Sequence, residues 1–217
     1  MTELGHRVTI AGSRDLSADV DVSEDGPPLS PVGIGAVAFL LQALGAVPLA
    51  EMAGIIARVV ARQLAAPDGI VVTVGLQFQS GPAAVAHAAV GAALPVEDAC
   101  FGHVDVVHEG EGLGVYFLRI DPLGTIPAHV HRKTDEWEYA VAGALALQGE
   151  AFPVGDAVRW PVEFPHRWDN RGATEALVLC IDRPRFDASD EVEVETTALQ
   201  PCPFRFRPTP TPTPAHP

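Results

Sequence analysis

Two histidines and a glutamate in the stretch GTIPAHVHRKTDEWEYAVAG, residues 124–143, have the types and the spacing of a metal site. His129 and His131 stand one residue apart, so on an extended strand both imidazoles leave the same face. Glu136 follows a short polar turn and begins a second strand-like run, which could return its carboxylate to the imidazoles. Two imidazoles and a carboxylate on adjacent strands form a partial shell for a divalent metal ion. A fourth ligand is therefore expected further along the chain, and His166 in GDAVRWPVEFPHRWDN is the candidate.

Both segments together resemble the two motifs of the cupin superfamily, over about residues 100–190. The first motif reads G, five residues, HxH, three or four residues, E, six residues and G, and this chain has four residues rather than five before the first His. The second motif reads G, five residues, PxG, two residues, H, three residues and N. Glu163 stands where the family usually has the second Gly, so the turn there can differ. The matched positions are Gly124, His129, His131, Glu136, Gly143, Gly155, Pro161, His166 and Asn170.

This resemblance implies a mainly β fold, a cupin-type antiparallel β-barrel or double-sheet jelly roll, preceded in this chain by an N-terminal helical segment. It also implies one metal site with His129, His131, Glu136 and His166 as its ligands. Neutral imidazoles and a carboxylate suit Fe(II), Mn(II), Ni(II), Co(II) and Zn(II), and leave positions for water or substrate. Fe(II) is favoured among these, on the frequency of oxygenases in the family.

Strand alternation predicts further side chains of the pocket. Glu138 shares a face with the glutamate of the first motif, where it could transfer a proton, act as an alternative ligand or lie at a solvated mouth. Trp168 shares a face with the histidine of the second motif and is either a pocket wall or a core aromatic. Arg159 and Arg119 lie on predicted strands, where they could bind an anionic substrate or form surface ion pairs.

Three classes of function are open to this ligand set, because one fold carries many reactions. The first is a metal-dependent enzyme acting on a small organic substrate, with a dioxygenase-type reaction ahead of isomerase, lyase or cyclase chemistry. The second is a ligand sensor or regulatory module in which the apolar N-terminal helices form a partner surface. The third is a metal-free structural or carbohydrate-binding protein. The presence of all four predicted ligands favours the metal-dependent classes.

Composition disfavours several kinds of partner. The 217 residues carry 28 acidic and 14 basic side chains, and the formal net charge of −14 argues against nucleic acid or an anionic membrane as a partner. Hydrophobic residues make up 47% of the chain, which is ample for a core.

Three widely spaced cysteines, Cys100, Cys180 and Cys202, predict reduced thiols that are buried or partly buried. The polar and acidic first residues lack a secretory-signal pattern, so a cytoplasmic location is expected.

The first 95 residues divide by composition into two parts. Residues 1–31 open with a possible short strand, HRVTIAG, and continue as an acidic stretch with prolines that predicts a solvated connector. Residues 32–95 begin with the apolar run VGIGAVAFLLQALGAVPLA, and although its length raises the question of a membrane span, Gln42 and Pro48 interrupt it. With its continuation, EMAGIIARVVARQLAA, it predicts two helices that form a hairpin or a dimer interface. IVVTVGLQF then predicts a buried strand and SGPAAVAHAAVGAAL a short helix.

From residue 96 the pattern changes to short strands separated by Gly, Pro and Asp turns, which is typical of a small antiparallel barrel. The predicted barrel spans residues 96–200, has a further strand or arm at VEVET, and is followed by a disordered Thr-Pro tail at 201–217.

The sequence leaves open whether residues 1–95 form a separate helical domain or wrap the barrel. A homodimer is expected, because cupins commonly pair edge strands and apolar helices need covering. Histidines that are not expected to bind metal are His87, His103, His108 and His216.

Overall fold

The computed structural model describes residues 6–11, 16–23, 25–64, 66–78 and 83–209. The chain forms two compact units, one from the residues before Leu94 together with those from Pro208, and one spanning Leu94–Arg207. The described elements of the first unit are β1 (His6–Ala11), β2 (Leu16–Val22), α1 (Pro31–Ala43), α2 (Leu49–Gln63), β3 (Val71–Phe78) and β4 (Ala83–Ala89). The second unit contains β5 (Val96–Ala99), β6 (Gly102–Gly110), β7 (Leu113–Ile120), β8 (Thr125–His131), β9 (Asp135–Ala142), β10 (Leu145–Leu147), β11 (Glu150–Ala151), β12 (Ala157–Trp160), β13 (His166–Asn170), β14 (Ala176–Arg183), β15 (Glu191–Glu193), a 3-10 turn (Thr196–Ala198) and β16 (Arg205–Phe206).

The first unit is an antiparallel sheet covered by two helices. Its strands β1 to β4 are paired in chain order, and α1 and α2 connect β2 to β3. α1 is almost wholly apolar and is capped by the preceding Ser30, whose hydroxyl accepts a hydrogen bond from the Gly33 backbone N–H at 3.1 Å. α2 is amphipathic and packs on β3 and β4. Both predicted helices and the predicted strand IVVTVGLQF are therefore confirmed.

Neither α1 nor α2 combines the length and the apolar character that crossing a lipid bilayer would require. The predicted homodimer and the predicted cytoplasmic location stay predictions. Cys100, Cys180 and Cys202 are all free thiols, and the predicted burial is confirmed for Cys180 and Cys202 but wrong for Cys100, which is exposed.

Two local predictions for the first unit are wrong. The acidic stretch predicted as a connector contains β2, in which Leu16, Ala18, Val20 and Val22 are buried. Their alternation with Ser and Asp is a strand signal of period two that the acidity of the stretch obscured. The alanine-rich segment predicted as a helix contains β4, which pairs with β3 along its whole length. The helix propensity of alanine exceeds that of most residues by less than about 1 kcal/mol, so pairing with an existing strand outweighs it.

The second unit, all of which is described, consists of two antiparallel sheets. One has seven strands in the order β16-β12-β9-β14-β7-β6-β5, and the other has five in the order β11-β10-β13-β8-β15. Apolar side chains from both sheets form one core, in which Trp160 of the first sheet and Trp168 and Ile126 of the second are buried. The predicted mainly β, double-sheet barrel is confirmed. The VEVET segment contributes β15, which pairs with β8.

The C-terminal end of this barrel lies beyond residue 200. Arg205–Phe206 forms β16, which pairs with Ala157 and Val158 of β12. The ring of Phe206 also contacts the Trp137 ring, with the centroids 5.9 Å apart. The predicted tail, residues 201–217, is therefore wrong at its start, and the part from residue 210 onward lies outside the described residues.

Candidate metal centre

The four predicted ligands come together between the two sheets. His129 and His131 lie on β8, and His166, the first residue of β13, is opposite His129 in the five-stranded sheet. Glu136 lies near the start of β9 in the facing sheet. All four side chains are buried, and one ligand atom from each lies within 4.8 Å of the others. Atoms that are each about 2.1 Å from one ion are roughly 3 to 4 Å apart, so this spacing suits a single divalent ion.

Backbone carbonyls fix which nitrogen of two of the imidazoles is available to a metal. His129 Nδ1 lies 2.8 Å from the Pro127 carbonyl oxygen, and His166 Nδ1 lies 3.0 Å from that of Phe164. Since a carbonyl can only accept, each Nδ1 carries a hydrogen, and each Nε2 presents a lone pair once its ring is neutral. Glu136 Oε2 lies 2.8 Å from His166 Nε2, yet neither atom makes a hydrogen bond to a described residue. Two buried ligand atoms left unsatisfied in this way fit a cation placed between them.

The protonation states of two members of the cluster suit the same role, whereas in the metal-free protein the Glu136 charge outweighs burial and raises the pKa of His166. Burial lowers the pKa of His129 to about 4, and the neighbouring His166 adds to the effect. Burial by itself would raise the pKa of Glu136, but the imidazoles of His166 and His131 outweigh it and hold that pKa below its usual range. A neutral imidazole and an ionised carboxylate are the forms that bind metal.

Asp190, which precedes β15, supports the third imidazole. Its Oδ2 accepts hydrogen bonds from the Lys133 backbone N–H, the Thr134 backbone N–H and the Thr134 hydroxyl, at 3.2, 3.0 and 2.8 Å. The same oxygen lies 3.8 Å from His131 Nδ1, and Asp190 itself is 3% exposed. Asp190 therefore holds the turn between β8 and β9 and places a negative charge behind His131. Sequence reasoning missed this residue because it is far from the motifs along the chain.

We expect Asp190→Asn to weaken metal binding by up to about 10-fold, because it removes a negative charge 3.8 Å from His131 Nδ1 and weakens the turn that carries Lys133 and Thr134. Competition with a chromogenic chelator measures the affinity directly. Asp187→Asn is the matched control, because the exposed Asp187 carboxylate accepts a hydrogen bond from the nearby Ser189 backbone N–H and lies outside the ligand cluster. Equal affinities for the two variants would show that Asp190 does not act on the metal site.

A second buried acid, Glu138, lies beside the ligands. Its Oε2 accepts hydrogen bonds from the indole N–H groups of Trp160 and Trp168, both at 2.6 Å. Burial raises the pKa of Glu138 to about 8, and the nearby Glu136 charge adds to the increase. The Trp160 ring also stacks on the His166 ring, with the centroids 4.8 Å apart. Trp160, which the sequence analysis did not select, thus orients both a ligand and the second acid.

A cavity of about 260 Å³ opens onto these groups. Its apolar wall includes Phe101, Val104, Leu118, Ile126 and Phe186. The lining acids are Glu97, Asp98, Glu109, Glu136, Glu138, Asp182 and Glu191.

The side of the cavity formed by β14 was not foreseen from the sequence. Cys180 and Asp182 alternate on this strand and both line the cavity. The Cys180 thiol donates to Glu136 Oε1 at 3.2 Å and lies 3.3 Å from Asp182 Oδ1. Burial raises the pKa of Asp182 well above its usual value, and the Glu136 charge adds to this. Burial likewise raises the pKa of the Cys180 thiol, which keeps it protonated. Strand alternation in ALVLCIDR places Cys180 and Asp182 on one face and could have been noticed in the sequence. Only the pairing of β14 with β9 shows that this face points toward the ligands.

Three predicted pocket residues lie elsewhere. Arg159 is on the outer face of β12, where it forms two hydrogen bonds to the Asp135 carboxylate, at 2.9 and 3.0 Å. Arg119 is paired with Glu175 and with Asp105. Trp168 is a fully buried core aromatic behind Glu138 and does not line the cavity. The two arginines fail as anion-binding candidates because their strand neighbours face the core, which turns the arginines outward. By contrast, the prediction that Glu138 points inward with Glu136 is confirmed.

The histidines set aside in the sequence analysis are not part of the four-residue cluster. His87 is bonded to the Thr73 hydroxyl at 2.9 Å, and His103 Nδ1 lies 3.2 Å from Asp98 Oδ1. His108 lies on β6, outside the cluster, and His216 lies outside the described residues.

Glu163, which replaces the usual second glycine of the second motif, lies in a turn with left-handed backbone conformation. Glu163 has φ of 65°, and its backbone N–H donates to the His131 carbonyl at 2.7 Å. A side chain in this conformation is strained, whereas glycine is not. Asn170 of the same motif is structural, because its amide donates to the carbonyls of Ile120, Asp121 and Thr174.

We therefore expect Glu163→Gly to raise the free energy of unfolding by about 0.5 to 1 kcal/mol, since relief of strain exceeds the added entropy of the unfolded chain. Urea denaturation followed by tryptophan fluorescence reports on the barrel, because all three tryptophans lie in it. Glu150→Gly on β11 is the control, and there the same substitution should be destabilising. Destabilisation by both variants would refute the strain at Glu163.

Comparison with known proteins yields only distant structural likeness. No family model and no curated protein matches the chain. Among solved structures, it is similar to the oxalate decarboxylase from Bacillus subtilis, at 19% identity and a TM-score of 0.38, over 46% of this chain and 30% of that one. It is similar to KdgF from Halomonas sp. at 22% identity and a TM-score of 0.38, over 44% and 92%. An RmlC-like cupin from Shewanella frigidimarina is 17% identical, with a TM-score of 0.38, over 43% and 86%.

The second unit has the double-sheet antiparallel barrel that the resemblance of its two motifs to the cupin superfamily predicts. The chain spans less than a third of the length of the oxalate decarboxylase that it matches.

Proposed function

We propose that this protein is a metal-dependent cupin enzyme acting on a small organic substrate, with one divalent ion held by His129, His131, Glu136 and His166. The observation that carries the proposal is Glu138, a buried acid in the cavity wall beside the four ligand residues. Burying a second carboxyl next to Glu136 is costly, and such groups are concentrated at catalytic sites. Proton transfer to a substrate requires a group of this kind beside the bound metal.

A dioxygenase-type oxidation is the reaction that we propose first. An Fe(II) ion at this site would supply redox chemistry toward O₂ while keeping coordination positions for the substrate. The chain's own contribution is to present the Nε2 lone pairs of His129 and His166 and to keep Glu136 ionised. The apolar side chains of the cavity, such as Phe101 and Leu118, exclude water from the bound substrate.

Glu138 would hold the proton for this reaction at a defined atom. Because Oε2 accepts both indole N–H groups, the acidic hydrogen belongs on Oε1. From there it can be donated to a substrate oxygen or nitrogen, and the resulting carboxylate is stabilised by Trp160 and Trp168. General acid catalysis of this kind accelerates a reaction by about 10²- to 10⁴-fold.

The same acid supports a second candidate, a non-oxidative isomerase, lyase or cyclase. Such a reaction needs only a divalent ion that polarises the substrate and a group that moves a proton, and Glu138 is that group.

Oxygen uptake separates the two candidates. Full-length protein loaded with Fe(II) is given a panel of small hydroxylated compounds, with O₂ consumption and product formation followed together. Consumption that depends on added Fe(II) supports the oxidative reaction. Full turnover under strictly anaerobic conditions contradicts it and favours the non-oxidative candidate.

With a substrate in hand, we expect Glu138→Gln to lower kcat by about 10²- to 10⁴-fold while the protein keeps its full metal content. Glutamine can still accept both indole hydrogen bonds but cannot donate the acidic hydrogen. Glu193→Gln on β15, away from the cavity, controls for a general change of charge. An unchanged kcat for Glu138→Gln would remove Glu138 from the mechanism.

A further inference from the structure

The charges around the cavity are of one sign. Among its lining residues, all of which are described, none is Lys or Arg, whereas acids occupy both its depth and its rim. Glu138 and Asp182 are the deep acids beyond the predicted ligand set, 1% and 3% exposed. Glu97 and Glu191 are exposed at the rim. This distribution restricts the charge of any molecule that enters.

Two further rim acids are paired locally. Glu109 accepts a hydrogen bond from the Tyr116 hydroxyl at 2.9 Å, and Arg185 Nη1 lies 3.9 Å from its carboxylate. Asp98 lies 3.2 Å from His103 Nδ1. These partners offset part of the negative charge at the rim without placing a cation in the cavity wall. The arginines on neighbouring strands, Arg159 and Arg119, form ion pairs outside it.

The metal ion would therefore be the one positive charge available in the cavity to attract a bound anion. A divalent ion paired with Glu136 leaves one positive charge, which the substrate atoms that bind the ion would use. A carboxylate on any other part of the substrate would face Glu97 or Glu191 at the rim, with no Lys or Arg in the cavity lining to pair with. Like charges in a poorly solvated cavity repel strongly, and protonating the acids removes the repulsion without supplying a cation.

We infer that the substrate of this site is a small molecule that carries no negative charge beyond its metal-binding atoms and that an amine cation on it is favoured. This inference rests on the proposed function and adds the substrate class. A cationic substituent can pair with the rim acids Glu97 and Glu191, and a neutral substituent is not repelled by them.

Three catechols whose substituents carry a positive, no or a negative charge test the inference. The full-length protein is loaded with Co(II), whose absorption reports binding, and titrated with dopamine, 4-methylcatechol and 3,4-dihydroxybenzoate. Each affinity is referred to the affinity of the same catechol for Co(II) in buffer. We expect dopamine to bind at least about 10-fold more tightly than 3,4-dihydroxybenzoate, with 4-methylcatechol between them. Equal or tighter binding of 3,4-dihydroxybenzoate overturns the inference.

Paired variants connect the preference to the cavity. Glu97→Gln/Glu191→Gln removes two rim charges and should reduce the ratio of dopamine to dihydroxybenzoate affinity several-fold. Glu193→Gln/Glu195→Gln removes two charges from a separate depression of the same unit and should leave the ratio unchanged. A ratio that stays constant in the cavity variant, or that changes equally in both, overturns the inference.

The metal content distinguishes this failure from failure of the proposed function. One equivalent of bound Co(II) with a reversed order of affinities overturns only the substrate class. Absence of bound Co(II) overturns the metal-dependent function and the substrate class together.

Discussion

His129→Ala/His131→Ala is expected to abolish metal binding while the barrel stays folded. The wild-type protein, grown with mixed metals, should contain about one equivalent of divalent ion. The variant loses two of the four ligands, so its affinity should fall by more than about 100-fold, the upper cost of losing a single outer partner. Elemental analysis after desalting measures the content, and iron in the wild type would favour the oxidative reaction.

His87→Ala is the matched control for this experiment. His87 lies on β4 of the first unit, bonded to Thr73, and should leave the metal content unchanged. Tryptophan fluorescence and circular dichroism verify that the double variant retains its fold. A folded double variant with a full equivalent of metal would contradict the site, and a wild-type protein that binds no metal would favour a structural or binding role.

Glu138→Gln is expected to change how the stability of the metal-free protein depends on pH. The pKa of Glu138 is raised by burial to about 8 in the folded protein, against an ordinary value of 4.5. The folded state therefore keeps a proton that the unfolded state releases. The resulting stabilisation is fully present below pH 4.5, decreases as pH rises and is lost above about pH 8. The free energy of unfolding of Glu138→Gln, minus that of the wild type, should therefore increase by on the order of 3 to 5 kcal/mol as the pH is raised from 4.5 to 8.5.

Urea denaturation of the metal-free proteins at several pH values between 4.5 and 8.5 measures this difference. The metal is removed first, because a bound cation would itself favour the ionised acid. Glu150→Gln, at an exposed position on β11, accounts for the general loss of one charge. A stability difference between Glu138→Gln and wild type that is constant across this range would show that Glu138 ionises normally.

Local periodicity made the ligand set and the barrel predictable. His129, His131 and Glu136 are close in sequence, and alternation along β8 and β9 places their side chains, together with Glu138, on the inward faces. The strands from residue 96 onward were equally visible, since each is short and bounded by turn residues.

The secondary structure of β2 and β4 was predicted wrongly because it was inferred from local amino-acid composition, whereas it depends on pairing with a neighbouring strand. The acids of β2 suggested a connector and the alanines of β4 suggested a helix, yet both segments pair along their full length with β3. A strand neighbour supplies hydrogen bonds and burial that a local window does not contain.

The sequence by itself determined the four metal-ligand candidates and the class of fold, because both depend on spacing within short segments. Only the tertiary structure decided that Arg159 and Arg119 point away from the cavity and that Asp182 and Asp190 stand beside the ligands. These positions depend on which strands pair, in which register and with which face toward the core. Pairing is selected by burial and hydrogen bonding over the whole barrel, so residues far apart in the chain set the charge of the cavity.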